Sequence, residues 1–128
     1  MQETIKEVFN KVFQGFNYKR DIDNHGVVEH WGDCLDKLDG QWEGDCDDFA
    51  ITSSLLLSKS GIPDDKIRVI YCKVETGGGH LICGVDTDDD TIILDNRERY
   101  PVSAGELTGY EFISGMRLSE PGVWRVID

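Results

Sequence analysis

The sequence predicts an α+β domain in which helices pack on one side of an antiparallel sheet. Three observations carry this: an apolar stripe at helical spacing opens the chain, a second helix-like run with its own start and stop signals begins at Cys46, and three β-branched runs separated by turns follow it. With 128 residues, 39% of them hydrophobic, the chain holds enough apolar material for one core, so residues 1–128 read as a single domain.

Ile5, Val8, Phe9, Val12, Phe13 and Phe16 recur at i, i+3, i+4, i+7, i+8 and i+11, the core face of an amphipathic helix that ends near Gly15. Residues 17–44 read as an irregular polar stretch carrying Trp31 and Trp42, long enough to wall a functional site. From Cys46 to Ser60 a second helix is expected. Asp45 suits its N-cap, Asp48 follows as an acidic capping partner, and Gly61 before Pro63 is the stop. Phe49, Ala50, Ser53, Leu56 and Leu57 form its expected inner face. "KIRVIYCKV", "HLICGV" and "TIILD" then read as an antiparallel meander turning through "ETGGG" and "DTDDD", and the segments around Tyr110–Phe112 and Val123–Ile127 read as edge strands.

Charge narrows the function. Thirteen Lys and Arg stand against 25 Asp and Glu, a formal net charge of -12, which repels phosphate backbones and excludes nucleic acid as a partner. A basic substrate, a basic protein surface or a divalent cation suits this field, as does plain solubility. No run of about 18 apolar residues and no leader-like N-terminus is present, so the expectation is a cytoplasmic chain without a membrane partner. Cys34, Cys46, Cys72 and Cys83 contain no CxxC pair and read as free thiols; with His25 or His30 their separations do not match a zinc motif. "DTDDD" lacks the Gly and the distal Glu of a calcium-binding EF-hand and reads as a solvated turn.

In "EGDCDDFA" a thiol sits among four acids at a helix start. Unsatisfied N–H groups and the helix dipole favour a thiolate in the first turn, whereas neighbouring carboxylates oppose it. The conflict is relieved if the acids cap the helix or hold a cation, and if a histidine arrives to pair with the sulfur. His80, directly after "GGG", has the backbone room a groove needs, although a plain hairpin loop fits equally. Two registers of the hairpin through "TDDD" put Asp95 opposite or diagonal to His80 on one face; the register between them separates the two. Cys46, His80 and Asp95 thus form a candidate nucleophile, base and orienting acid. Asn96 and Arg97, which follow, support the site, line its groove or turn the chain.

"GDCDDFA", "GGGHLICGV" and "IILDNRERYP" resemble, in order, the signature blocks of the bacterial transglutaminase-like cysteine proteinases, a branch of the papain and transglutaminase superfamily. The likeness runs over residues 28–127, with "EHWGDCLDKLDGQWEGDC" as the tryptophan-containing lead-in and Trp124 as the late tryptophan. It implies a papain/transglutaminase-like core, with Cys46 as nucleophile, His80 as general base and later acid, and Asp95 as its orienting partner. Periplasmic members hold calcium on acids beside the nucleophile, which here are Asp45, Asp47 and Asp48; Asp47 stands where the family usually has Glu. The resemblance implies a thiol hydrolase, a peptidase acting on a protein or peptide and working without an organic cofactor. A short form without a leader suits a bacterial or phage-encoded cytoplasmic protein, so the adhesin substrates of periplasmic members are not carried over. The same triad serves glutamine deamidation or acyl transfer, since all pass through a thioester, and a silent acidic protein-binding domain of this fold is the non-enzymatic alternative. For the oxyanion, the Cys46 backbone N–H is one candidate donor and the Trp31 indole or Gln41 amide the second.

Overall fold

The computed structural model describes residues 2–14, 16–18, 42–44, 46–88 and 90–127, with side chains at 2–14, 48–88 and 90–127. Helix α1 spans Gln2–Gln14 and helix α2 Cys46–Lys59. The strands are β1 (Phe16–Tyr18), β2 (Trp42–Gly44), β3 (Ile67–Lys73), β4 (Gly79–Asp86), β5 (Thr91–Leu94), β6 (Val102–Ser103), β7 (Glu111–Arg117) and β8 (Trp124–Val126).

The stripe expected on the first helix packs from Ile5 to Phe13, whereas Phe16, expected at its end, lies beyond the helix and opens β1. Ile5, Val8, Phe9 and Val12 of α1 are buried in one cluster with Phe49 and Leu57 of α2 and with Ile67, Cys83, Val85 and Leu94 of the sheet. Phe9 stacks on Phe13 at 5.3 Å and meets Phe49 edge-on at 5.8 Å. Each of these large side chains contributes about 1.5–3 kcal/mol by leaving water, which is what holds α2 to the sheet. Phe49 through Ser54 are all buried, so this stretch of α2 is enclosed on more than the single inner face expected. Small residues permit this: the Ser54 hydroxyl donates to the Ala50 carbonyl at 2.8 Å and lies 3.2 Å from Cys83 Sγ.

Helix α2 stops where Gly61 provides a positive φ of 102°. The Ile62 N–H reaches back to the Leu57 carbonyl and the Gly61 N–H to that of Ser58, which is a Schellman closure. An added Cβ at Gly61 meets nothing within 4 Å, so the cost of Gly61→Ala is backbone strain alone. Urea denaturation of Gly61→Ala is expected to register a loss of about 1–2 kcal/mol with the m-value unchanged.

The large sheet has the order β6-β5-β4-β3-β7-β8, with every neighbouring pair antiparallel. β3, β4 and β5 form the expected meander. Two expectations are corrected. The run at Tyr110–Phe112 extends into β7, which is internal because it pairs with β3 on one side and β8 on the other; of the two expected edge strands, β8 alone is one. Within the stretch read as irregular, β1 and β2 form a short parallel pair, Phe16 opposite Trp42.

Side-chain alternation divides the sheet. Ile67, Cys83, Val85 and Leu94 face the helices, while Ile70, Cys72, Ile82 and Ile93 face the other way, under Val102, Leu107, Tyr110, Phe112 and Ile127. Among the described residues the second face is therefore also covered, by the chain after β5, which carries only a single 3-10 turn at Ala104–Glu106. At the end of β4, Asp86, expected in a solvated turn, is a partly buried anion that pairs with Thr91 across the sheet. It binds Arg68 and Arg117, each at 2.9 Å, and although burial raises its pKa, these contacts hold the carboxyl below the ordinary range.

Candidate functional site

Cys83 pairs with Leu94 and Asp86 with Thr91, one of the two registers that set Asp95 and His80 on the same face. His80 is the second residue of β4 and Asp95 follows the last residue of β5, so both stand at one end of the sheet. His80 Nε2 and Asp95 Oδ1 are 2.7 Å apart, with 7% and 0% of the two side chains exposed. A carboxylate so enclosed needs donors. Asp95 has three: the His80 ring nitrogen, the Arg97 backbone N–H at 3.0 Å and the Tyr110 hydroxyl at 2.6 Å on Oδ2. Burial alone raises the Asp95 pKa, but the His80 contact, the Tyr110 hydroxyl and the Arg97 N–H outweigh it and keep the group below the ordinary carboxylate range. With Nε2 engaged by Asp95, Nδ1 is the imidazole atom left for other chemistry.

Ser54 lies against Cys83, and Leu57 shares the core cluster with Val85, so α2 runs parallel to β4. From Ser54 back to Cys46 the helix axis covers roughly 12 Å, the length of about three to four strand residues. The first turn of α2 thus comes level with Gly79 and His80. Of the calcium candidates, Asp48 is half-buried in that turn, Asp47 is described through its backbone alone, and Asp45 lies outside the described residues, as do His25, His30, Trp31, Cys34 and Gln41. No cluster of three metal-ligating side chains occurs among the described residues.

Cys72 and Cys83 are free and buried, and burial is the first cause that pushes each thiol up to about 12. Protonated and enclosed, both are chemically quiet.

Sequence reasoning missed Tyr110 as a site residue and left the role of Arg97 open. The Arg97 guanidinium donates to the Tyr110 oxygen at 3.2 Å, lies 5.4 Å from the ring centroid, and pairs with Glu75 of the β3–β4 loop at 2.5 Å. Tyr110 also meets the His80 ring edge-on, at 6.0 Å between centroids. Alternation gives Tyr110 the same face as Phe112, two residues on, but no signal in the sequence says which face that is.

The comparisons agree with this architecture. LapG of Legionella pneumophila, in an EGTA-treated structure, superimposes with a TM-score of 0.77 at 22% identity, over 99% of this chain and 67% of that one. Its calcium-bound structure superimposes with a TM-score of 0.76, again at 22% identity, over 98% and 68%. At that identity the likeness is one of fold. No curated protein sequence matches the chain significantly. The model of the family described as bacterial transglutaminase-like cysteine proteinase, BTLCP, matches residues 1–128. The chain belongs to the bacterial transglutaminase-like cysteine proteinases.

Proposed function

We propose that this protein is a cysteine peptidase whose nucleophile is Cys46, whose general base is His80 and whose orienting acid is Asp95. One observation carries the reading: a buried 2.7 Å contact between His80 Nε2 and Asp95 leaves Nδ1 for a thiol at the end of the sheet with which the start of α2 is level. Family membership supports a protein or peptide substrate.

The chemistry follows from those positions. The thiol proton of Cys46 passes to His80 Nδ1, and the imidazolium is stabilised through Nε2 by the Asp95 carboxylate. The thiolate, at the positive end of a 14-residue helix, attacks the substrate carbonyl carbon. His80 then returns the proton to the leaving amine, and a thioester remains on Cys46. Water, deprotonated by the same nitrogen, attacks the thioester; the carboxylic acid departs and the thiol re-forms.

Asp45, Asp47 and Asp48 supply carboxylate oxygens, the donor type calcium takes, and the calcium-bound LapG structure supports testing that ion. Held there, it supplies positive charge beside Cys46 that offsets the acids around the thiol.

Iodoacetamide alkylation, followed site by site by mass spectrometry across pH, tests the reading. Cys46 is expected to label well below the reference thiol value of ~8.5, to lose that reactivity in His80→Ala, and to slow when EGTA removes calcium. Cys72 and Cys83 are expected to stay unlabelled while the protein is folded, because both are buried. Labelling of Cys46 only near pH 8–9, as for an ordinary thiol, would leave the acidic binding domain as the better account.

A further inference from the structure

We infer that Tyr110, clamped by Arg97 and Glu75, is a positioning residue that orients His80 by holding the second oxygen of Asp95. The role in catalysis rests on the peptidase reading above; the hydrogen-bond chain itself does not.

The argument starts from the carboxylate. Asp95 Oδ1 receives His80 Nε2 and the Arg97 N–H, which leaves Oδ2 as the oxygen that decides how the carboxylate is turned. Tyr110 donates to that oxygen at 2.6 Å. Two donors on one oxygen and one on the other fix the carboxylate plane, and through it the tilt of the imidazole.

Tyr110 has to donate for this to work, and its surroundings see to that. Burial, then the hydrogen bond to Asp95 and the charge of Asp95, raise its pKa, so the hydroxyl keeps its proton. Its oxygen in turn accepts from Arg97 Nη1, and Arg97 is held by Glu75. The direction of donation therefore runs from Arg97 to Tyr110 to Asp95, with His80 donating from the other side. Glu75 belongs to the Val74–Gly78 turn that leads into His80, so the chain of contacts closes on the loop beside the imidazole it orients.

A local irregularity makes the contact. Tyr71 pairs with Ser114, but Cys72 pairs with Phe112, so Ile113 is an extra residue bulged out of β7. An unbroken ladder would place Tyr110 on the helix-facing side; the one-residue shift moves Tyr110 and Phe112 to the side of Cys72 and His80. Bulges commonly re-aim a side chain beside an active site.

Proton NMR on the full chain, labelled with 15N-histidine, reads the effect without any substrate. In the wild type the His80 Nε2 proton, shared with a buried carboxylate, is expected far downfield and slow to exchange. In Tyr110→Phe that resonance is expected to move upfield and its exchange to accelerate about 10–100-fold, the equivalent of one hydrogen bond to a charged group, while circular dichroism reports an intact fold. Glu75→Gln, a change at an exposed side chain, is expected to move it in the same direction by less. A resonance absent from the wild type, or unchanged in a folded Tyr110→Phe, overturns the inference. Should Tyr110→Phe not fold, Arg97→Gln serves instead, and an unmoved resonance there overturns it equally. Normal resonance behaviour in a protein whose Cys46 is unreactive would reject the peptidase and keep the positioning role; a reactive Cys46 with an unmoved resonance would do the reverse.

Discussion

Replacing Cys46 with alanine is expected to lower turnover on the order of 10⁴-fold or more and to leave the thermal unfolding midpoint within a few degrees of wild type. The activity loss follows from the proposed mechanism, in which every covalent step runs through that one sulfur; without it, only binding and whatever donors face the carbonyl would remain. The fold is expected to be spared because the described core side chains of α2, Phe49 to Leu57, are untouched by the change. His80→Ala is expected to approach the same loss, since a thiol without its base is protonated at neutral pH. Turnover of a fluorogenic peptide and a circular dichroism melt on the same preparations decide it. Substrate processing that persists in Cys46→Ala would refute the triad. Loss of activity together with a collapsed melt would show that the helix start is a stability element and would leave the sulfur unassigned.

The His80–Asp95 pair and much of the fold were legible in the sequence, and the reasons differ by element. The α1 stripe and the stop at Gly61 rest on local rules, period and positive φ, that need no partner. His80 and Asp95 were legible because two adjacent strands joined by a short turn have few registers, and two of those considered bring the residues together. Tyr110 was not. It reaches Asp95 only because β7 lies beside β3, a pairing between segments about 40 residues apart in sequence, and because one bulged residue turns it to the correct face. A bulge has no periodic signature, and without it alternation would send Tyr110 to the wrong side of the sheet. β1 and β2 escaped for another reason: at three residues each, they are too short for alternation to show. The wider burial of α2 over Phe49–Ser54 was hidden by Thr52 and Ser54, polar residues off the expected inner face that nevertheless lie in the core.

Asp95→Asn should cost both stability and rate, and the two losses have one cause. The wild-type carboxylate accepts from three donors, His80, Arg97 and Tyr110. An amide keeps the volume but presents one acceptor and one donor. If its oxygen stays with His80 and Arg97, its NH₂ meets the Tyr110 hydroxyl, which already accepts from Arg97. If the amide turns over, its NH₂ meets His80, the imidazole proton moves to Nδ1, and the nitrogen meant to accept from the thiol no longer can. Either way a buried donor loses its acceptor. The expected stability loss at pH 7 is about 3 kcal/mol, and the loss of kcat/KM about 10²–10⁴-fold, less than for His80→Ala because the imidazole remains. The pH dependence has a definite sign. The folded-state pKa of Asp95 is lowered, so its contribution is fully present above the unfolded carboxyl value of ~3.9 and disappears as pH falls through the lower, folded value. Urea unfolding of wild type and Asp95→Asn should therefore differ most at neutral pH and converge as the pH drops below about 4. A difference that stays constant down to the acid limit would mean that the carboxylate charge does not stabilise the fold and that packing alone accounts for the loss.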